Sequence, residues 1–179
     1  TVTALDESGV EVIVLTGEGD AFNAGADLNY LQDTIDEGNP AAFYDMVRND
    51  LKILRPMLDI TKPVVARVNG DAMGQGATLA LFCDIVMMSE DARIGDPHVK
   101  VALVAGDGGA VIWPLLTSLN KAKELLMTGD LITAEEAKEL GLVNHVVPAD
   151  ELDERTDEMV DKLASGPQTA IRYTKKTLN

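Results

Sequence analysis

The sequence predicts an α/β fold on a mainly parallel sheet, and three observations carry the prediction. Short apolar runs without alternation, Val12–Thr16, Val64–Val68 and Asp84–Met88, have the length and composition of strands covered on both faces. Glycine-rich turns follow the first two runs, and segments of helical spacing follow the turns. The order strand, turn, helix, strand occurs twice, as parallel sheets require, because each return must cross a face of the sheet.

Taken in order, Val12–Thr16 closes on Gly17 and Gly19 and reads as an interior strand. From about residue 41 to 59, Phe43, Met46, Val47, Leu51, Leu54 and Leu58 recur near helical spacing, and Pro40 suits the first turn. Pro63 then punctuates before the strand Val64–Val68, which meets Gly70. A helix is expected from about Gly76 to Phe82, before the third buried strand, Asp84–Met88. Beyond the cluster Gly106–Gly109 the pattern turns largely helical, over Ala110–Leu116, Lys121–Met127, Ala134–Leu140, Glu151–Ala164 and Pro167–Leu178. Only the short apolar run Leu142–Val147 interrupts it. Thr133 with Glu136 has the form of a capping box, and Gly129 and Gly141 are placed as C-terminal stops.

A chain of 179 residues with 46% hydrophobic content can bury roughly 70% of its unfolded surface, enough for a core without staples. With no repeat, low-complexity stretch or linker, residues 1–179 read as one domain, about 1–118 sheet-bearing and about 119–179 mainly helical. Cys83 is the single cysteine and sits in the apolar stretch Leu79–Met88, which fits a buried inert thiol and a reducing cytoplasm. Fifteen basic against thirty acidic residues give a net charge of −15, which repels phosphate backbones and anionic headgroups, so neither nucleic acid nor membrane is expected as a partner. No apolar run approaches the roughly 20 residues that span a bilayer, and Thr1–Gly9 has neither the basic nor the apolar region of a signal peptide.

The two glycine turns are the most informative segments. Asn23–Asp27 reads N-A-G-A-D and Gly70–Gly76 reads G-D-A-M-G-Q-G, each between a strand-like run and a helix-like one. Backbone N–H groups in such places lack partners and can converge on a developing negative charge. Two donors on one carbonyl oxygen would stabilise an enolate or tetrahedral oxyanion, each typically contributing roughly 3–4 kcal/mol. Neither turn matches the phosphate-cradling G-x-x-x-x-G-K-[ST] loop, and Gly70, Gly74 and Gly76 do not make the dinucleotide spacing, so ATP and NAD sites are not supported.

Three stretches carry a family resemblance. Val12–Leu28, V-I-V-L-T-G-E-G-D-A-F-N-A-G-A-D-L, and Lys62–Asp84, K-P-V-V-A-R-V-N-G-D-A-M-G-Q-G-A-T-L-A-L-F-C-D, resemble the crotonase superfamily of enoyl-CoA hydratases and isomerases. Leu125–Pro148, L-L-M-T-G-D-L-I-T-A-E-E-A-K-E-L-G-L-V-N-H-V-V-P, adds to it, and the likeness runs over nearly the whole chain in the family's order. The resemblance implies a spiral of ββα units and a C-terminal helical region that mediates trimer or hexamer (dimer of trimers) assembly. It also implies a coenzyme A thioester substrate and no prosthetic group. By position, Ala26 and Gln75 match the two oxyanion donors, Ala24, Asp27 and Leu28 match the backbone that lines coenzyme A, and Gly74 and Thr78 fall at the substrate site. Against the family's full length, the sequence begins after a first hairpin and ends before the last helices.

The chain departs from the family where chemistry is decided. The second donor is usually glycine, and Gln75 serves only if its backbone avoids positive φ. Where hydratases of the superfamily carry two glutamates, this chain has Thr78 and His98. A threonine hydroxyl does not exchange a proton near neutral pH as a carboxylate does, so paired-glutamate hydration is not expected. His98 lies in G-D-P-H-V and Asp107 nine residues later in V-A-G-D-G-G, at the position that carries the acid in several isomerases of the family. A carboxylate beside an imidazole orients the ring and favours its charged form, which makes His98 and Asp107 the candidate acid–base pair. The run H-V-K-V-A-L-V-A-G-D-G-G-A-V-I-W-P is similar to the β-diketone hydrolase branch, typified by oxocamphor hydrolase, which cleaves a carbon–carbon bond without coenzyme A. Three readings therefore stay open: an enzyme acting on an acyl-CoA thioester, a β-diketone hydrolase, and a catalytically silent binding or assembly subunit. Trp113 is a candidate for the acyl pocket, Asp96 reads as a turn opening, His145 reads as a core or interface residue, and no metal-ligand motif is present.

Overall fold

A computed structural model describes residues 9–27, 29, 33, 34, 36–38, 48 and 52–179. Two four-stranded sheets form its frame. In the first, β1 (Ile13–Thr16), β3 (Val64–Val68), β5 (Ile85–Ser89) and β8 (His145–Val147) run parallel in the order β1-β3-β5-β8. The second is built from three-residue strands in the order β2-β4-β6-β7: β2 (Ala21–Asn23), β4 (Asp71–Met73), β6 (Arg93–Gly95) and β7 (Leu131–Thr133). Only the β6–β7 pairing is antiparallel. The helices are α1 (Gln75–Leu81), α2 (Gly109–Leu116), α3 (Leu119–Thr128), α4 (Ala134–Glu139), α5 (Leu152–Ala164) and α6 (Gln168–Leu178). Two 3-10 segments, Pro97–Val101 and Ala149–Glu151, and a helical stretch over residues 52–59 are also described.

Alternation along β3 distributes the core to both faces of the first sheet. Val64, Ala66 and Val68 join Ala77, Ala80 and Leu81 of α1 and Trp113 of α2 in the main core. Val65 and Met87 face the other way, onto Val147 and Leu152, with Met159, Val160 and Leu163 of α5 packed around them. Burial on both faces is why these strands read as unbroken apolar runs. The last helix is tied across long sequence distances. Arg172 pairs with Glu11 at 2.6 Å, and the buried Lys175 ammonium donates to Asp84 Oδ2 at 2.7 Å and to the Lys62 carbonyl at 3.0 Å.

The α/β class, the parallel sheet, the six helices from α1 onward and the Thr133–Glu136 capping box agree with the sequence reading. Gly129 and Gly141 end their helices in the left-handed region. Two points differ. The first strand is not interior: among the described residues β1 is the edge of its sheet, and alternate residues stay half open, with Val14 39% exposed. The second sheet is not anticipated: β4 falls inside the turn Gly70–Gly76 and no strand is expected at β2, β6 or β7, because three-residue strands carry too few side chains to show a period. Of the helix expected from about residue 41, residues 52–59 are helical and bury Leu54 and Met57, while Pro40, Phe43, Met46, Val47 and Leu51 lie outside the described residues. No helix among the described residues is long and apolar enough to cross a membrane.

Candidate functional site

The second sheet positions the site. Its parallel strands β2, β4 and β6 end side by side, with Asn23 opposite Ala72 and Met73 opposite Gly95. Their C-terminal ends deliver residues 24–27, 74–76 and 96–98 to one edge, the end of a parallel sheet where ligands commonly bind. Gly74 N–H donates to the Gly95 carbonyl at 2.9 Å and fastens the second turn to the third. Gly76 fastens the second to the first: any Cβ there would run into the backbone of Asn23.

Gly74 takes φ 54, a left-handed value that an L side chain disfavours, and it caps the start of α1. Gln75 follows as the first helical residue, and Ala102 is the one non-glycine with positive φ among the described residues, so the condition on Gln75 is met. The first N–H groups of a helix have no acceptor within it. Ala24, Ala26 and Asp27 are exposed on the loop after β2, where Asp27 Oδ1 accepts the Asn29 N–H at 2.9 Å. Leu28 lies outside the described residues.

Three ionisable side chains converge beside this seam. Asp96 caps the 3-10 segment Pro97–Val101, with its Oδ1 accepting the His98 backbone N–H at 3.3 Å. The same Oδ1 meets His98 Nδ1 in a very short hydrogen bond. On its other side the ring presents Nε2 to Asp107 Oδ2 at 3.9 Å. Asp107 is buried; its Oδ1 accepts the Gly109 N–H at 3.2 Å, and its Oδ2 accepts the hydroxyl of fully buried Thr78 at 3.3 Å. The His98 ring also faces Gly74, whose missing Cβ would stand 3.4 Å from Cε1.

Burial pushes the Asp107 carboxyl above its ordinary value of 3.8; the positive charge of His98 opposes the rise and the neighbouring Asp96 adds to it. An imidazole next to a carboxyl whose burial favours the protonated form is an arrangement that can take a proton at one atom and give one at another. One donor atom from each of Asp96, His98 and Asp107 lies within 4.8 Å of the others, a spacing a divalent cation would also accept, although the sequence shows no metal-ligand motif.

The structure thus brings together His98, Asp107, Thr78 and Gly74 and places Gln75 next to Gly74. Trp113 is fully buried within the main core, and its indole N–H has no acceptor among the described residues. A surface cavity of about 430 Å³ lies along β2 and β4 and is lined mostly at the starts of β2, β4 and β6; it includes Ala24 and Met73 but none of the Asp96–His98–Asp107 cluster. His145 is exposed on β8, an edge of the other sheet, and not in a core. Cys83 is buried, with its thiol pushed up to about 12 chiefly by burial, as an inert thiol requires. Sequence reasoning undervalued Asp96. The signal lay in the Asp-Pro-x pattern, in which an aspartate accepting the N–H two residues on brings its carboxylate beside that residue.

Comparison with known proteins agrees with the fold. Residues 2–179 match the family described as enoyl-CoA hydratase/isomerase. A putative enoyl-CoA hydratase of Thermus thermophilus is 40% identical over 175 residues, 96% of this chain and 67% of the relative. A crotonyl-CoA hydratase of Syntrophomonas wolfei is 37% identical over 180 residues, 99% of this chain and 68% of the relative. The crystal structure of an enoyl-CoA hydratase from Bacillus anthracis superposes with a TM-score of 0.92 at 36% identity, over 99% of this chain and 68% of that one. The chain thus spans about two thirds of the length of these relatives, and 61% of the probable mitochondrial enoyl-CoA hydratase of Dictyostelium discoideum, to which it is 37% identical. With its α/β frame, its paired turns and a match over nearly every residue, the chain belongs to the enoyl-CoA hydratase/isomerase family.

Proposed function

We propose that this chain is an enoyl-CoA hydratase-like enzyme that acts on an acyl-CoA thioester through an enolate, with His98 and Asp107 as its acid–base pair. The observation that carries the reading is the nearness of the two halves of the site: a Cβ at Gly74, the residue before Gln75, would stand 3.4 Å from His98 Cε1. Ala26 and Gln75 would present their backbone N–H groups to the thioester carbonyl, and the exposed loop with Ala24 and Asp27 would meet the coenzyme A portion.

In hydration, His98 Nε2 takes a proton from water as the oxygen bonds to the β-carbon. The alkene electrons move to the thioester oxygen, where the two N–H groups stabilise the charge. Collapse of the enolate takes a proton at the α-carbon from Asp107, whose burial favours the protonated carboxyl this step needs. Transfer of the proton from His98 to Asp107 across the 3.9 Å separation resets the pair. Thr78 donates to Asp107 Oδ2 and so holds it toward His98.

The Asp–His–Asp cluster in place of two glutamates favours one further reading, hydrolysis of a β-diketone without coenzyme A. There His98 again deprotonates water, which attacks one carbonyl; the adjacent carbon–carbon bond breaks, its electrons pass to the second carbonyl oxygen in the N–H cradle, and Asp107 protonates the released carbon. Mass spectrometry after incubation with enoyl-CoA, β-ketoacyl-CoA and β-diketone panels separates the two. Gain of one water by an enoyl-CoA with its skeleton intact is the expected result, and His98→Ala should lower that rate on the order of 10²–10⁴-fold. Opening of a diketone with no turnover of thioesters would replace the first reading by the second. Turnover undiminished by His98→Ala would exclude both assignments of His98, and no turnover of any compound would leave a silent subunit.

A further inference from the structure

We infer that Asp96 is a positioning residue: its buried carboxylate holds the His98 imidazole as the Nδ1–H tautomer and turns Nε2 toward Asp107 as the proton acceptor. The inference rests on His98 as the proton-transfer group, and three observations support it. First, one oxygen of Asp96 accepts from both the backbone and the ring of His98, so the 3-10 turn and the imidazole share one anchor and the ring cannot rotate independently. A ring hydrogen bond to a carboxylate fixes which nitrogen carries the proton, the role of the acidic member of a catalytic triad.

Second, capping alone does not account for an aspartate. Asparagine or serine would cap the segment equally well. Yet Asp96 is 2% exposed, and its second oxygen, Oδ2, has no hydrogen-bond partner among the described residues. Leaving a buried carboxyl oxygen without a partner is destabilising, so capping is a poor reason for an aspartate at this position. Third, the neighbourhood is shaped around it. Gly109 opens α2 directly against Oδ2, and a Cβ at position 109 would run into that oxygen. The N–H of the same Gly109 holds Asp107 Oδ1 at 3.2 Å, so one glycine sets the places of both carboxylates that flank the ring.

The chain has two histidines, which makes the test direct. In a His145→Gln background, the exposed second imidazole is removed and long-range ¹H–¹⁵N spectra report His98 alone. With the ring neutral at alkaline pH, the Nδ1–H tautomer is expected. Asp96→Asn retains the backbone cap but can present its amide to Nδ1, so the Nε2–H tautomer should replace the first while the backbone spectrum stays folded. Gly109→Ala, which displaces the carboxylate without removing it, should move the tautomer in the same direction and serves if Asp96→Asn does not fold. An Nε2–H tautomer in the parent protein, or an Nδ1–H tautomer retained in the variants, would overturn the inference. With a substrate from the panels above, Asp96→Asn should lower kcat by on the order of 10²-fold or more while KM holds. Absence of any turnover would remove the catalytic reading and leave the tautomer result standing by itself.

Discussion

At the scale of single residues, Asp107 joins the proposed chemistry to stability. Its carboxyl is raised above 3.8 in the folded chain chiefly by burial, so the native state keeps a proton that the unfolded chain has released. Stability must then fall as pH rises from that unfolded value through the higher native one, and level off beyond it. Asp107→Asn abolishes this slope. Its amide can still accept from Gly109 N–H and donate to Thr78, the two partners Asp107 has now. The variant should therefore be no less stable than the parent near pH 4 and increasingly more stable toward neutrality, while losing activity. Urea titrations from about pH 4 to about pH 8 measure the gap; a gap that stays constant or narrows over that range would mean the carboxyl is not raised. Much at this scale was legible in the sequence. The family resemblance singled out the site residues: Thr78 and His98 stand where its hydratases carry glutamate, and Asp107 stands where several of its isomerases carry the acid. The approach of the His98 ring to Gly74 was not legible, because it depends on the ends of separate strands lying side by side.

At the scale of elements, the seam between β2 and α1 is the controlling feature. Longer apolar runs announced β1, β3 and β5; in β3 and β5 nearly every side chain is covered and the run needs no period. The short strands β2, β4, β6 and β7 gave no such signal, and the first three of them carry the site. Gly76 makes the seam possible, since β2 approaches α1 as closely as a residue without a Cβ allows. The atoms a Cβ would meet are Asn23 backbone and Cβ, which cannot swing aside like the tip of a long side chain. Gly76→Ala should cost about 1–3 kcal/mol and lower the melting temperature by roughly 2–4 °C for each kcal/mol in a chain of this size. Activity should fall further than stability explains, because the turns holding Ala26 and Gln75 separate. Calorimetry with an assay at a temperature where the variant is fully folded checks this; unchanged activity there would mean the two turns do not act on one carbonyl.

At the scale of the whole molecule, the net charge of −15 spreads over a surface on which several ion pairs are exposed and contribute little. The tie at Lys175 is of another kind. It is buried, and it joins the last helix to Asp84 and the Lys62 carbonyl across 91 and 113 residues of chain. Neither contact could be inferred from the sequence, where Lys175 is one more lysine on an amphipathic helix. Its consequence lies in the order of events during folding. Closing so long a loop is entropically costly until the parallel sheet already exists, so α6 should seal a structure whose rate-limiting step is past. Lys175→Met should then weaken the fold by about 1.5–3 kcal/mol almost entirely by speeding unfolding, with the refolding arm of a chevron unchanged. A slower refolding arm would place the last helix in the nucleus instead. On the expected outcome, this buried contact of the last helix sets how long the native state lasts and leaves unchanged how fast it forms.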